Sequence, residues 1–208
     1  MKRTVLLLLA YLLLVLPTVA QAPEKAAPDD LVVTAEIVGY SKWAHAGKED
    51  YMLYAKMVIR NTTNHARDIS MMDCSWDDSW LVSCEQGISE TLFVLSCGKN
   101  YPSTFTIPVG ESMVFNCLLI LMNGHIARPN DATRATSFRL GFLDLPSEAV
   151  WNGFHAKAEE QRVLEKIKKA RAVYWSNALT TEIDLVATKE IDGKQYPTEY
   201  HLTKGGKQ

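Results

Sequence analysis

A dominant charge is what this sequence most plainly lacks. Its 22 lysines and arginines face 24 aspartates and glutamates, for a formal charge of −2. Proteins that hold nucleic acid regardless of base sequence draw their affinity from phosphate neutralisation by a basic excess, so the balance argues against a nucleic-acid partner.

Catalytic signatures are also missing. No HExxH pair places two histidines on one helix face for zinc, and His45, His65, His125, His155 and His201 stand isolated. There is no GxSxG elbow, no GxxxxGK[ST] phosphate loop and no GxGxxG fingerprint. No CxxC occurs, and the cysteine spacings of 10, 13 and 20 are not those of a zinc ribbon. A nucleophile, base and orienting group can still assemble from distant positions. The inventory nevertheless leads to the expectation of a non-enzymatic protein, with no catalytic residue, no metal and no cofactor to assign.

What is present begins with an address. Met1-Lys2-Arg3 precedes an apolar run from Val5 to Leu16, followed by Pro17-Thr18-Val19-Ala20-Gln21-Ala22. Twelve residues of helix span about 18 Å, short of the roughly 30 Å hydrocarbon layer, so the run reads as a signal peptide over 1–20 cut after Ala20. Cutting after Ala22 would leave Pro23 at the new N-terminus, where its ring hinders the peptidase. Export to the periplasm or the extracellular space follows, with no transmembrane anchor after cleavage. Without the leader, the balance is 20 basic against 24 acidic side chains.

Export changes how the cysteines read. Cys74, Cys84, Cys97 and Cys117 all lie in the mature chain, an even number in an oxidising compartment. Of the three possible pairings, Cys74 with Cys97 and Cys84 with Cys117 close two long loops, each constraining the unfolded chain by roughly 3 to 4 kcal/mol. Cys74 with Cys84 remains sterically open.

Residues 21–30 are rich in Pro, Ala and charge and read as a flexible lead-in to one domain over 31–188. Leu31 to Tyr40 places Val33, Ala35, Ile37 and Gly39 on one face, and Tyr51 to Ile59 alternates in the same way, so both read as half-buried strands. Further strands are expected at Asp68 to Cys74, Trp80 to Cys84, Thr91 to Cys97, Thr104 to Ile107, Ser112 to Leu121, Ser137 to Leu143 and Thr181 to Ala187. Pro108-Val109-Gly110-Glu111 reads as a turn, and the apolar end of Ser112 to Leu121 suggests a central strand covered on both faces. Short strands at such spacing suggest an antiparallel β-sandwich. One helix interrupts them over about 156–174, where Val163, Leu164, Ile167, Ala170 and Tyr174 make an apolar stripe and Glu165 can pair with Lys169. Residues 189–208 read as a polar tail with a loose end.

The densest segment is Cys74-Ser75-Trp76-Asp77-Asp78-Ser79-Trp80. Two indoles around two carboxylates can form an exposed platform on which sugar rings stack while the acids accept hydroxyl hydrogen bonds. Trp76, Asp77, Asp78 and Trp80 are therefore the candidate ligand-binding residues, against the plainer alternative that both indoles pack inward and the acids stay solvated. The basic cluster Arg162, Lys166, Lys168, Lys169 and Arg171 reads as a solvated helix face balanced by Glu159, Glu160 and Glu165. Asn61-Thr62-Thr63 is a formal glycosylation sequon.

CSWDDSW, Cys97-Gly98-Lys99-Asn100, the Pro108 to Glu111 turn, Phe138-Arg139-Leu140-Gly141-Phe142 and Trp175-Ser176-Asn177 together resemble uncharacterised exported bacterial proteins of immunoglobulin-like β-sandwich type, over about Leu31 to Ala187. The resemblance implies a mainly β, immunoglobulin-like antiparallel sandwich with one helix near its C-terminal side, and no catalytic residues. Cys84 and Cys117 are additions to that pattern. The function expected is an exported binding or interaction module with a protein or glycan partner; the alternatives are a carbohydrate surface on Trp76 and Trp80, and a proteinase inhibitor.

Overall fold

Alternation of apolar and polar residues lays down a long antiparallel hairpin, β1 (Leu31–His45) and β2 (Lys48–Asn61). Both strands run further than alternation alone predicts, because each supplies the other's backbone partners. The register shifts between Ile37 and Gly39. Before the shift Leu31, Val33 and Ala35 are buried and alternate with exposed residues; after it Gly39, Tyr40 and Ser41 are all buried, with the Tyr40 side chain in the main core. An extra residue in one strand reverses which positions face the core.

The computed structural model describes residues 28–45, 48–85, 87–90, 100–119, 137–180, 188–192 and 199–203. The expected leader over 1–20, most of the lead-in, Cys97, and the strands expected at Thr91 to Cys97 and Thr181 to Ala187 lie outside them. Among the described residues no helix is long and apolar enough to cross a membrane.

The fold is mainly β, with antiparallel sheets and few helices. The remaining strands are β3 (Arg67–Met72), β4 (Trp80–Cys84), β5 (Gly87–Glu90), β6 (Pro102–Ile107), β7 (Ser112–Leu119), β8 (Ser137–Asp144), β9 (Ala172–Trp175), β10 (Leu179–Thr180) and β11 (Glu199–Thr203). One sheet has the order β1-β2-β7-β11; a second runs β10-β8-β4-β5, with β9 also on β8; β3 and β6 form a two-stranded ribbon. Inner faces of all three sheets meet in one core, where Trp80 of β4 lies edge-on to Phe115 of β7 with ring centres 5.3 Å apart. The turn after β6 forms as expected: Glu111 N–H donates to Pro108 O at 3.1 Å, and Gly110 takes φ 73°.

Several expectations change. The helix expected over 156–174 stops early: α2 spans Glu159–Lys169, and Ala172–Trp175 is strand β9, paired antiparallel with β8. Val163, Ile167 and Ala170 do share a face, but Leu164 is exposed and Tyr174 enters the main core from a strand. Pairing with β8 outweighs the helical stripe there. A second, shorter helix, α1 (Ser147–Asn152), starts after Pro146, whose carbonyl accepts from Ala149 and Val150, and ends at Gly153 with φ 64°.

Strand β7 lies between β2 and the edge strand β11; Met113, Val114 and Phe115 are all buried, but Asn116 and Leu118 are only half-buried, so it is covered on both faces over part of its length. Strand β8 is the more fully covered one. Leu140 and Phe142 face the main core, while Leu143 joins Leu81, Leu145, Val150, Val163 and Ile167 in a second cluster beneath the helices. Finally, the polar tail is partly built in: β11 pairs with β7, and Tyr40 exchanges backbone hydrogen bonds with Lys189 and Ile191 at 3.1 and 2.7 Å.

Candidate functional site

The segment chosen from sequence becomes a short 3-10 turn, Trp76–Ser79, linking the β3–β6 ribbon to the second sheet. Both indoles turn inward. Trp76 is 2% exposed and Trp80 0%, each within ring contact of Phe115. The carbohydrate platform on Trp76 and Trp80 is therefore absent, because two large apolar side chains flanking a tight turn gain more by filling the core than by facing water.

The acids between them part company. Asp78 stays exposed and accepts from Lys166 Nζ at 3.2 Å and from Ser75 Oγ at 3.3 Å. Asp77 is half-buried, and burial together with the neighbouring Asp78 pushes its carboxyl up to about 6. Asn100 holds the turn's entry, its Oδ1 accepting from the amides of Cys74 and Ser75 at 3.3 and 3.2 Å.

The basic face of α2 also differs from its expected solvated state. Lys166 is buried, 2.9 Å from Glu90 Oε1 and above the Phe154 ring at 5.3 Å. Arg162 reaches the other oxygen of Glu90 at 2.6 Å. Those two cations hold the Glu90 carboxyl below the usual glutamate range, against the opposing effect of burial. Glu165 and Lys169 pair at 2.7 Å, as their spacing predicts. The site of the sequon is closed as well. Asn61 is fully buried, and its Nδ2 donates to the carbonyls of His65, Ile107 and Pro108 at 2.8, 2.9 and 3.2 Å.

Cysteine chemistry divides by position. Cys84 and Cys117 are thiols and not the two halves of a disulfide, so the expected Cys84 to Cys117 bond is not formed, nor is Cys74 to Cys84. They sit on different sheets, β4 and β7. The Cys117 thiol contacts Ala55 O at 3.5 Å, and burial pushes its ionisation far up. Cys74 is disulfide-bonded. Cys97, the partner expected for it, lies outside the described residues.

A surface with room for a ligand lies elsewhere. Between the outer face of the β3–β6 ribbon and α1 runs a groove of about 520 Å³. Register places Ser70 opposite Thr104 and Met72 opposite Pro102 on the ribbon's outer face, while Ile69 and Met71 fill the core on the other. Ser70 Oγ and Thr104 Oγ1 are 3.2 Å apart. From α1, Ala149 and Val150 anchor inward, which leaves Glu148, Trp151 and Asn152 on the groove side. Trp151 is 72% exposed, the most exposed of the large hydrophobic side chains described. Its only trace in the sequence is its position, one residue past the inward pair and two before Gly153.

Among the described residues no three His, Cys, Asp or Glu side chains converge as a metal site. Comparison with family models, with curated proteins and with solved structures finds no match.

Proposed function

We propose that the chain is an exported, non-enzymatic binding module on an immunoglobulin-like β-sandwich, and that it binds through the groove between α1 and the β3–β6 ribbon. The observation that carries this is Trp151. An indole 72% exposed beside a groove of about 520 Å³ is a large apolar surface left in water. Exposed apolar surface of that kind, rimmed by polar groups, is what binding sites present. The sandwich reading draws support from antiparallel sheets that share one aromatic core around Trp80 and Phe115. Export, cleavage after Ala20 and a bond between Cys74 and Cys97 belong to the same proposal, as does kinship with exported sandwich proteins.

Two measurements test it. Mass spectrometry of the chain expressed in a secreting host is expected to find a product beginning at Gln21 in the exported fraction; an uncleaved product confined to the cytosol overturns export. NMR of the exported product against soluble oligosaccharides, a proline-rich decapeptide and choline is expected to shift groove resonances with at least one of them. No shift with any member, or chemical turnover of one, overturns the binding reading.

A further inference from the structure

We infer that the groove takes a neutral saccharide, with Trp151 as the stacking platform; the inference rests on the binding-module reading above. Three features of the walls point to that class. First, the exposed indole offers a flat, electron-rich face, and the axial C–H groups of a pyranose ring carry the partial positive charge that such a face attracts. Second, the opposite wall is built of hydroxyls. Ser70 and Thr104 are fixed by β3–β6 pairing and touch each other at 3.2 Å. Each hydroxyl offers one donor and two acceptor positions, so their mutual bond leaves capacity for a ligand.

Third, α1 adds Glu148, which accepts, and Asn152, which both donates and accepts. Sugar hydroxyls need that mixture, because each is donor and acceptor at once. Among the described residues no lysine, arginine or histidine lines the groove. A phosphate, sulfate or sialic acid would thus meet a carboxylate with no cation to offset it. The volume falls within the roughly 300–1,000 Å³ of small-molecule sites, enough for one or two sugar rings.

The platform lies on the opposite side of the ribbon from the buried Trp76 and Trp80. Trp151 can accordingly be changed without touching the core.

The test is a printed array of neutral and acidic glycans probed with the exported full chain, followed by calorimetric titration of the strongest neutral glycan. Binding to neutral glycans is expected. Trp151→Ala is expected to weaken it at least about tenfold and Thr104→Val about threefold, with Trp151→Phe retaining most of it. Near-UV circular dichroism and the urea midpoint are expected to stay unchanged in all three. Binding to acidic glycans alone, no binding on the array, or neutral binding indifferent to Trp151→Ala overturns the inference. If the decapeptide or choline shifts the groove resonances while no neutral glycan binds, the saccharide assignment falls and the binding module stands. If nothing perturbs the groove, both fall.

Discussion

Lys166 Nζ lies 2.9 Å from Glu90 Oε1, while Arg162, one turn earlier on the same helix, reaches Oε2 of that carboxylate at 2.6 Å. One acid on the edge strand β5 is thus gripped by two cations spaced i, i+4 on α2. The grip fastens a strand that, among the described residues, pairs only with β4, and it ties α2 to that strand.

Breaking the grip is expected to cost stability unequally along the helix. Lys166 has a side chain only 3% exposed, so Lys166→Ala leaves Glu90 and Asp78 without it and removes packing over Phe154. The expected loss is about 2–3 kcal/mol, below the full cost of orphaning a buried charge because Arg162 remains on Glu90. Lys168→Ala, on the exposed side, is expected within about 0.5 kcal/mol of the parent. Urea unfolding of the two variants checks the contrast.

Asp77 and Glu90 set opposite pH dependences. Asp77 is raised from an ordinary 3.8 to about 6, so the folded protein holds its proton more tightly and loses stability as pH rises from about 4 to about 6. Glu90 is lowered from 4.5, so its contribution is present above that value and lost as pH falls below it. Asp77→Asn is expected to remove the decline between pH 4 and 6 and to raise the urea midpoint at pH 7. Glu90→Gln is expected to remove the loss at low pH. Urea midpoints across pH 3.5 to 7.5 read both slopes.

The three tryptophans at 76, 80 and 151 are expected to behave as two kinds. Trp80→Ala empties a fully buried site against Phe115 and Phe142 and is expected to cost about 3–5 kcal/mol. Trp151→Ala is expected to change stability by less than about 0.5 kcal/mol. Of these three, loss of Trp151 should remove the fluorescence most accessible to acrylamide.

Thiol reactivity follows burial. Cys84 is half-buried on β4, whereas Cys117 is fully buried and its ionisation is suppressed by that burial. In native protein an aromatic disulfide reagent is expected to label Cys84 and spare Cys117 until urea unfolds the chain. Equal labelling of both under native conditions would contradict the packing of β7.

Asn61 is expected to carry no glycan when the chain passes through a glycosylating secretory pathway and folds. Its amide is spent on three carbonyls, and its Oδ1 accepts from the amide and hydroxyl of Thr63 at 2.9 and 2.8 Å. Asn61→Ala leaves those buried groups unmet and is expected to cost about 2–4 kcal/mol, read by urea unfolding.

Much of the strand content is legible in alternation. Trp80–Cys84 forms within its expected bounds, Ser112–Leu119 is strand as far as the described residues reach, and Ser137–Asp144 runs one residue past its expected end. Strand β5 was not visible, since Gly87-Ile88-Ser89-Glu90 carries one apolar residue and exists as a strand because β4 offers it an edge. The stripe through Tyr174 misled for a related reason. A stripe of apolar residues is compatible with either element, and the free edge of β8 chose strand.

Other contacts depend on residues far apart in the chain. Asn177, just before β10, brackets Ala35 of β1 with its side chain, accepting from Ala35 N–H at 2.9 Å and donating to Ala35 O at 3.0 Å. An amide thus mimics a strand partner and ties β1 to the second sheet. Gly141 faces Trp175 so closely that a Cβ there would come within 2.5 Å of the ring. Neither relation leaves a local pattern.

By itself the sequence determined the class of element at most positions, because burial on one face of a strand imposes a period of two that any window reveals. It also determined the near-neutral charge and the i, i+4 pair on α2. Which of the tryptophans at 76, 80 and 151 fill the core and which meets water was decided only by the tertiary structure. Trp76, Trp80 and Trp151 are chemically alike, and their exposure depends on what lies across from them: Phe115 and its neighbours for the first two, an open groove for the third.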